Sequence, residues 1–150
     1  MSEQSPMTLI DAHHHLWEPQ TLPYTWLRQI GKPKPFGDPT AIQRNYLPKD
    51  YLQDFTEAKD FELVGTVHVQ ADSALPEPVT ETNWLDQLNS SIPSGIVGFA
   101  DLSKDNLREI LGQHCNSRKF RGVRQIIGRL DNRTDCLLYT SDAADDVASV

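Results

Sequence analysis

The 150-residue sequence predicts an α/β fold, namely the N-terminal half of a (β/α)8 barrel truncated after about four strands. Valine-rich apolar segments typical of strands alternate with segments whose apolar residues recur every three or four positions, as in helices. The later strands start about 25 to 32 residues apart, close to one strand–helix unit each. The first half of an open doubly wound sheet is the alternative. No glycine-rich phosphate loop follows a strand, which counts against a nucleotide-binding sheet.

The first predicted strand covers residues 9–17, and a long connection follows it to about residue 50. This connection holds six of the ten prolines, a density that precludes a continuous helix. Loops of this length inside a compact domain are usually functional lids. The remaining predicted elements are a helix at 49–59, a strand at 63–71, a helix at 81–88, a strand at 95–102, a helix at 104–114 and a strand at 120–127.

The composition excludes several classes of partner. With 38% hydrophobic and 23% charged residues and no apolar run of 18, the chain is typical of a globular domain and has no membrane span. A formal charge of −7 argues against binding to nucleic acid, which requires concentrated Lys and Arg. The two cysteines, Cys115 and Cys136, predict no disulfide framework. The N-terminus lacks the features of a secretory signal, so we expect the cytoplasm.

The last segment, residues 136–150, resembles a translated sequencing-library adapter and is excluded from the fold prediction. We therefore expect a domain at residues 1–135, the N-terminal half of a longer protein, followed by a non-native tail. The alternative is a genuine acidic tail. On the fragment interpretation, we expect this chain by itself to be poorly stable, because half a barrel leaves sheet edges unpaired and its core unfilled.

Two histidines separated by one residue are the first candidates for chemistry. In a strand, His13 and His15 point the same way, with Asp11 behind them. Their Cα atoms then lie roughly 6.6 Å apart, so both rings can reach one ion with Zn–N bonds of about 2 Å. The spacing predicts a metal-binding or catalytic site. The alternatives are a chance cluster on a loop and the remnant of a purification tag.

Further candidates lie at the ends of later strands. On the second strand, alternation places His68 and Gln70 on a polar face that we expect to point into the barrel. Gln70, near the carboxyl end, is a candidate for ligand contact, whereas His68, one pleat deeper, is more often a hydrogen-bonded core histidine. On the last strand, Arg124 needs a partner: either Asp101 or an anionic or carbonyl-bearing substrate.

Trp17 lies at the start of the proline-rich connection. Its aromatic ring either anchors this loop to the scaffold or contacts a ligand, and the sequence leaves both roles open.

These residues together resemble the lactonase branch of the amidohydrolase superfamily, which are metal-dependent hydrolases of the TIM-barrel fold. The resemblance covers nearly all of residues 8–128. It is carried, in this order, by the segments Ile10–Trp17, Tyr24–Leu27, Asn45–Pro48, Val67–Ala71, Gly98–Leu102 and Gly122–Arg124.

The resemblance implies hydrolysis of a cyclic ester, a lactone, as the small-molecule substrate. It implies that His13 and His15 hold a divalent ion such as Zn²⁺ or polarise the lactone carbonyl directly, and that Arg124 grips a substrate oxygen or carboxylate. The later-barrel histidine and aspartate with which the family activates water have no counterpart here, so we expect this chain by itself to be catalytically inactive even if the longer protein is active. The alternatives are a metal-dependent decarboxylase of the same superfamily and a non-catalytic binding barrel.

Overall fold

A computed structural model describes residues 5–126 except 33, 35, 36, 73 and 74. The strands are β1 (Met7–His14), β2 (Phe61–Val69), β3 (Gly95–Phe99) and β4 (Phe120–Arg124), and the helices are α1 (Thr25–Arg28), α2 (Pro48–Phe55), α3 (Thr80–Gln87) and α4 (Leu107–His114). The four strands form one parallel sheet in the order β1-β2-β3-β4. This confirms the predicted α/β fold.

The helices α2, α3 and α4 cover one face of this sheet. Asp11 of β1 contacts α2, His68 of β2 contacts α3, and Gly98 of β3 contacts α4. The ladder register places these three strand residues on the same side, which we call the covered face; the opposite side is the open face. Sequential strand order with helices on a single face is the arrangement of a (β/α)8 barrel, whereas a doubly wound sheet reverses its strand order and has helices on both faces.

The structure corrects the predicted orientation of β2. His68 pairs in the ladder with Ile96, which packs in the core with Trp84 and Leu85 of α3. His68 therefore lies on the covered face and does not point into the barrel. The predicted alternation along β2 holds, but its polar residues lie on the side that packs against α3. There the buried Glu81 carboxylate lies 3.4 Å from Nε2 of His68, a partner that the spacing within β2 does not show.

All four strands end earlier than predicted, β2 at Val69 and β4 at Arg124. β1 ends at His14, so His15 lies just beyond it. β3 ends at Phe99 and not near residue 102, because the Asp101 carboxylate accepts hydrogen bonds from the backbone N–H and hydroxyl of Ser103 and turns the chain there. α4 accordingly begins at Leu107, three residues later than predicted.

The proline-rich connection forms only the single turn of α1 and a short 3₁₀ turn at Thr40–Ile42. Its two ends are joined by backbone hydrogen bonds between Trp17 and Tyr46, with N···O distances of 3.0 and 2.8 Å. Apolar residues of this connection, including Leu22, Tyr24 and Leu27, are buried in the same core as α3. The connection is therefore packed against the domain over much of its length.

No helix among the described residues is long and apolar enough to cross a membrane. The predicted domain boundary after residue 135, the tail at 136–150 and Cys136 all lie outside the described residues, so the division of the chain into domain and tail stays a prediction.

Candidate functional site at the carboxyl end of β1

A β-bulge lies near the end of β1, where His13 and His15 follow Asp11. Asp11 pairs with Thr66 and His14 with His68, so β1 advances three residues while β2 advances two. The extra residue keeps His14 and Asp11 on the covered face. The rings of His13 and His15 meet edge to face, with centroids 5.0 Å apart. A regular strand predicts Asp11 behind the two rings, and the structure shows that it does not lie there.

The hydrogen bond of His15 determines which of its ring nitrogens faces the site. Nδ1 lies 2.7 Å from the carbonyl oxygen of Val69, and since a carbonyl only accepts, Nδ1 carries the proton. Burial lowers the pKa of His15 below its usual value, which keeps the ring neutral at pH 7. Nε2 therefore carries a lone pair, the form that binds a metal ion or accepts a proton.

Arg124 lies next to this histidine. Its Nη2 donates to the carbonyl oxygen of Gln70, the residue after Val69. His15 and Arg124 thus bind consecutive carbonyl groups at the carboxyl end of β2, and the guanidinium is close enough to contribute to the lowered pKa of His15. In the ladder, Arg124 pairs with Phe99, which places it on the open face. An imidazole and a guanidinium therefore converge at the carboxyl edge of the sheet.

Asp101 is the protein partner that the sequence suggests for Arg124. Its carboxylate accepts hydrogen bonds from Ser103 and, at 3.0 Å, from the Gln125 amide. These bonds lower its pKa, with the Ser103 hydroxyl the largest contribution. The Asp101 carboxylate is therefore ionised at neutral pH and fixed by its own turn.

Asp11 has a partner on α2. The Tyr51 hydroxyl donates to its carboxylate at 2.7 Å, and the backbone N–H of His13 donates at 3.0 Å. Burial alone raises the pKa of Asp11, but these two hydrogen bonds, together with the nearby His14 and His13 rings, outweigh it and lower the pKa. The ionised carboxylate therefore holds the backbone of the bulge in place.

A cavity of about 450 Å³ lies between β1 and α2, beside Asp11 and Tyr51. It is lined by Leu9, Ile10, Asp11, Ala12, Tyr46, Tyr51, Asp54, Phe55 and Ala58. Neither His13 nor His15 lines it, so we do not assign it to the candidate site.

The remaining predicted site residues lie as follows. The side chain of Gln70 is fully buried, and its backbone carbonyl is the group that Arg124 binds. His68 is also fully buried. The indole N–H of Trp17 donates to the carbonyl oxygen of Arg44 at 2.8 Å, and its ring packs near Trp26 and Tyr46. Substrate contact by Gln70, His68 and Trp17 stays a prediction.

Glu81 is the residue that the sequence analysis missed. It is 3% exposed, and its carboxylate accepts hydrogen bonds from the Ala71 backbone N–H and the Tyr24 hydroxyl, each at 3.1 Å. A signal was present in the sequence, because Glu81 precedes Trp84 and Leu85 by three and four residues and so shares the buried face of the predicted helix.

The described residues contain no group of three or more His, Cys, Asp or Glu side chains arranged to hold a metal ion. His13 and His15 thus provide two imidazoles, which are suitable zinc ligands by their chemistry, and the described part of the chain adds no third ligand.

No family model matches the chain. An uncharacterized protein of Sinorhizobium fredii, y4mH, is 41% identical over 123 residues, which cover 81% of this chain and 40% of that protein. The chain therefore spans about two fifths of the length of the curated relative that it matches.

Two solved structures resemble this fold. An amidohydrolase from Burkholderia multivorans, with bound HEPES, has a TM-score of 0.57 and 26% identity, covering 89% of this chain and 41% of its own. Amidohydrolase 2 from Bifidobacterium longum subsp. infantis has a TM-score of 0.52 and 20% identity, covering 65% of this chain and 34% of its own. The four parallel strands with their helices match the N-terminal part of a TIM-barrel amidohydrolase.

Proposed function

We propose that this chain supplies one side of the active site of a hydrolase that opens a lactone by attack of water, on a sugar-derived or carboxylated substrate. The proposal rests chiefly on one observation: His15 and Arg124 bind consecutive carbonyl groups at the end of β2, beside the ring of His13. The likeness to two amidohydrolases supports the hydrolase class. The lactone is suggested by the sequence resemblance.

The chemistry of the donor set fits a divalent ion in part. His13 and His15 would hold it, and Nε2 of His15 is the nitrogen left for this purpose. When bound, such an ion lowers the pKa of a water ligand towards 7 and polarises a carbonyl group. The remaining ligands would come from outside the described residues.

Arg124 would bind the substrate. A guanidinium on the open face next to a neutral imidazole attracts the carbonyl oxygen or a carboxylate of the lactone. As water adds to the carbonyl carbon, negative charge grows on this oxygen, and a fixed cation stabilises the charge without reorganisation. The hydrogen bond to the Gln70 carbonyl holds the guanidinium in place beside the open face.

The first experiment titrates the 150-residue chain with Zn²⁺ by calorimetry. We expect His13→Gln and His15→Gln each to weaken zinc binding by at least about tenfold, the lower end of the cost of losing even a second-shell group. His114→Gln is the matched control, because that ring is buried between α4 and β3. Zinc binding that is unaffected by both site substitutions would contradict the proposed ligands.

The second experiment tests the reaction on the longer protein that corresponds to this chain. A pH-stat assay with five- and six-membered lactones should show acid release, and Arg124→Gln should lower kcat/KM at least about a hundredfold, the typical cost of removing an oxyanion donor. Acid release without any effect of Arg124→Gln argues against the assigned role. Release of CO2 from carboxylic acids without lactone hydrolysis would identify the decarboxylase alternative.

A further inference from the structure

We infer that Glu81 and His68 act as a buried positioning pair that sets the geometry of His15 and Arg124. The inference rests on the proposed function, because it concerns the same site. It goes beyond that function in assigning a role to two residues that do not touch the open face. His68, a substrate-contact candidate in the sequence, is assigned here to positioning.

The protonation of His68 follows from its partners. The backbone N–H of Leu16 lies 3.1 Å from Nδ1, and since this N–H only donates, Nδ1 is the unprotonated nitrogen. The proton of the neutral ring is therefore on Nε2, which lies 3.4 Å from Oε1 of Glu81. The ring is fully buried. The Leu16 N–H sets its tautomer, and the Glu81 carboxylate faces Nε2 at a distance longer than a normal hydrogen bond.

The pair reaches the site through two backbone links. His68 holds the N–H of Leu16, the residue that follows His15. Glu81 holds the N–H of Ala71, the residue that follows Gln70. The carbonyl groups of Val69 and Gln70, which bind His15 and Arg124, immediately precede that second link.

These links fix the distance between the end of β1 and the end of β2. Beyond His14, where β1 ends, the ladder no longer aligns the two segments. The Glu81–His68 pair takes the place of the ladder there, because these two side chains connect Leu16 to Ala71. If this connection is lost, the hydrogen bond between His15 and Val69 loses its support, and Nδ1 no longer keeps its proton in a fixed position.

Glu81 also connects the site to the proline-rich loop. The Tyr24 hydroxyl donates to Oε1 of Glu81, and burial together with this carboxylate raises the pKa of Tyr24. Glu81 therefore receives hydrogen bonds from the loop and from the end of β2, and faces the His68 ring. In a glutamine at this position, the amide NH2 group would face at least one of these donor groups, which would then lack an acceptor.

The test is nitrogen NMR of the histidine rings in the 150-residue chain, compared between wild type, Glu81→Gln and Thr82→Val. Thr82 is the neighbouring buried residue of α3, and its hydroxyl bonds to His114 at 3.0 Å, outside the network. Both substitutions should lower the stability of the fold. Only Glu81→Gln should shift His15 from the Nδ1–H form to a mixture of tautomers.

Zinc alone provides the second readout. We expect Glu81→Gln to weaken zinc binding about 10- to 100-fold, the range found for supporting shells, and Thr82→Val to change it less than about twofold. If wild type binds no zinc, the proposed metal site fails while the tautomer measurement still tests the positioning pair. An unchanged His15 tautomer in folded Glu81→Gln would overturn the inference.

A measurement on the wild-type chain tests the inference without requiring that a variant folds. The pair requires neutral His68 with its proton on Nε2 and with slow exchange of that proton. Should His68 carry its proton on Nδ1, the link to Leu16 cannot exist and the inference is wrong.

Discussion

At the scale of single residues, Gly98 shows how closely the covered face is packed. A Cβ atom at this position would lie 2.5 Å from Cε1 and 2.9 Å from Nδ1 of His114, and 3.0 Å from the hydroxyl oxygen of Thr82. Real Cβ atoms do not make such contacts with a ring. The absence of a side chain at Gly98 is therefore what allows α4 to place a histidine against β3.

We predict that Gly98→Ala destabilises the chain by about 1–3 kcal/mol, the usual cost of overpacking a core. Gly112→Ala in α4 is the matched control: within the described part of the chain, no atom beyond its chain neighbours and its own helix backbone lies within 4 Å of the added Cβ, and alanine is the better helix former by about 1 kcal/mol. Urea unfolding followed by circular dichroism measures both. Equal stabilities of the two variants would contradict the packing described here.

At the scale of elements, hydrogen bonds of the His114 ring connect α4 to α3 and to β3. Its Nε2 lies 2.9 Å from the carbonyl oxygen of Phe99, which requires the proton on Nε2, so Nδ1 accepts the hydroxyl proton of Thr82. The ring also stacks on Phe120 of β4. Burial lowers the pKa of His114, with the Phe99 hydrogen bond opposing this in part.

This geometry predicts acid destabilisation. The folded-state pKa of His114 lies below 6.5, so the unfolded chain binds the proton first as pH falls. The contribution of neutral His114 to the free energy of unfolding is fully present above about pH 6.5. Below that pH it is lost by up to about 1.4 kcal/mol per pH unit for one proton. Urea midpoints between pH 8 and 5 measure the slope.

His14 and His15 also have lowered pKa values, that of His14 about 4 through burial, and they add to the same slope. His114→Gln should therefore reduce the slope without abolishing it. A slope identical to that of wild type would show that His114 does not contribute.

At the scale of the whole molecule, β1 and β4 are the edges of the described sheet, and apolar side chains near β1 face solvent. Met7 is 67% exposed, Ile10 64% and Val64 56%. A strand edge with exposed apolar side chains is a surface on which chains associate.

We predict that the 150-residue chain self-associates as its concentration rises, and that Ile10→Lys weakens this association because it places a charge beside the edge. Ile30→Lys is the matched control, since Ile30 is 82% exposed in the proline-rich connection and does not belong to a strand. Sedimentation velocity over a hundredfold concentration range measures the effect. Equal responses to the two lysines would exclude the β1 edge as the contact.

The sequence alone determined the alternation of strands and helices, the parallel sheet and the pair His13 and His15, because periodicity and local spacing are encoded within a few residues of each other. It did not determine which face of β2 meets α3. That choice was made by the tertiary structure, in which the Glu81 carboxylate on α3 lies 3.4 Å from Nε2 of His68, inside a face otherwise packed by Ile96 and Trp84.

The bulge after Asp11 was likewise decided by tertiary contacts. A regular strand places Asp11 with His13 and His15, but the hydroxyl of Tyr51, 40 residues away, holds its carboxylate on the covered face. Such a partner is visible only when the chain has folded, because the free energy of a buried hydrogen bond depends on which groups the fold brings together and not on their spacing in sequence.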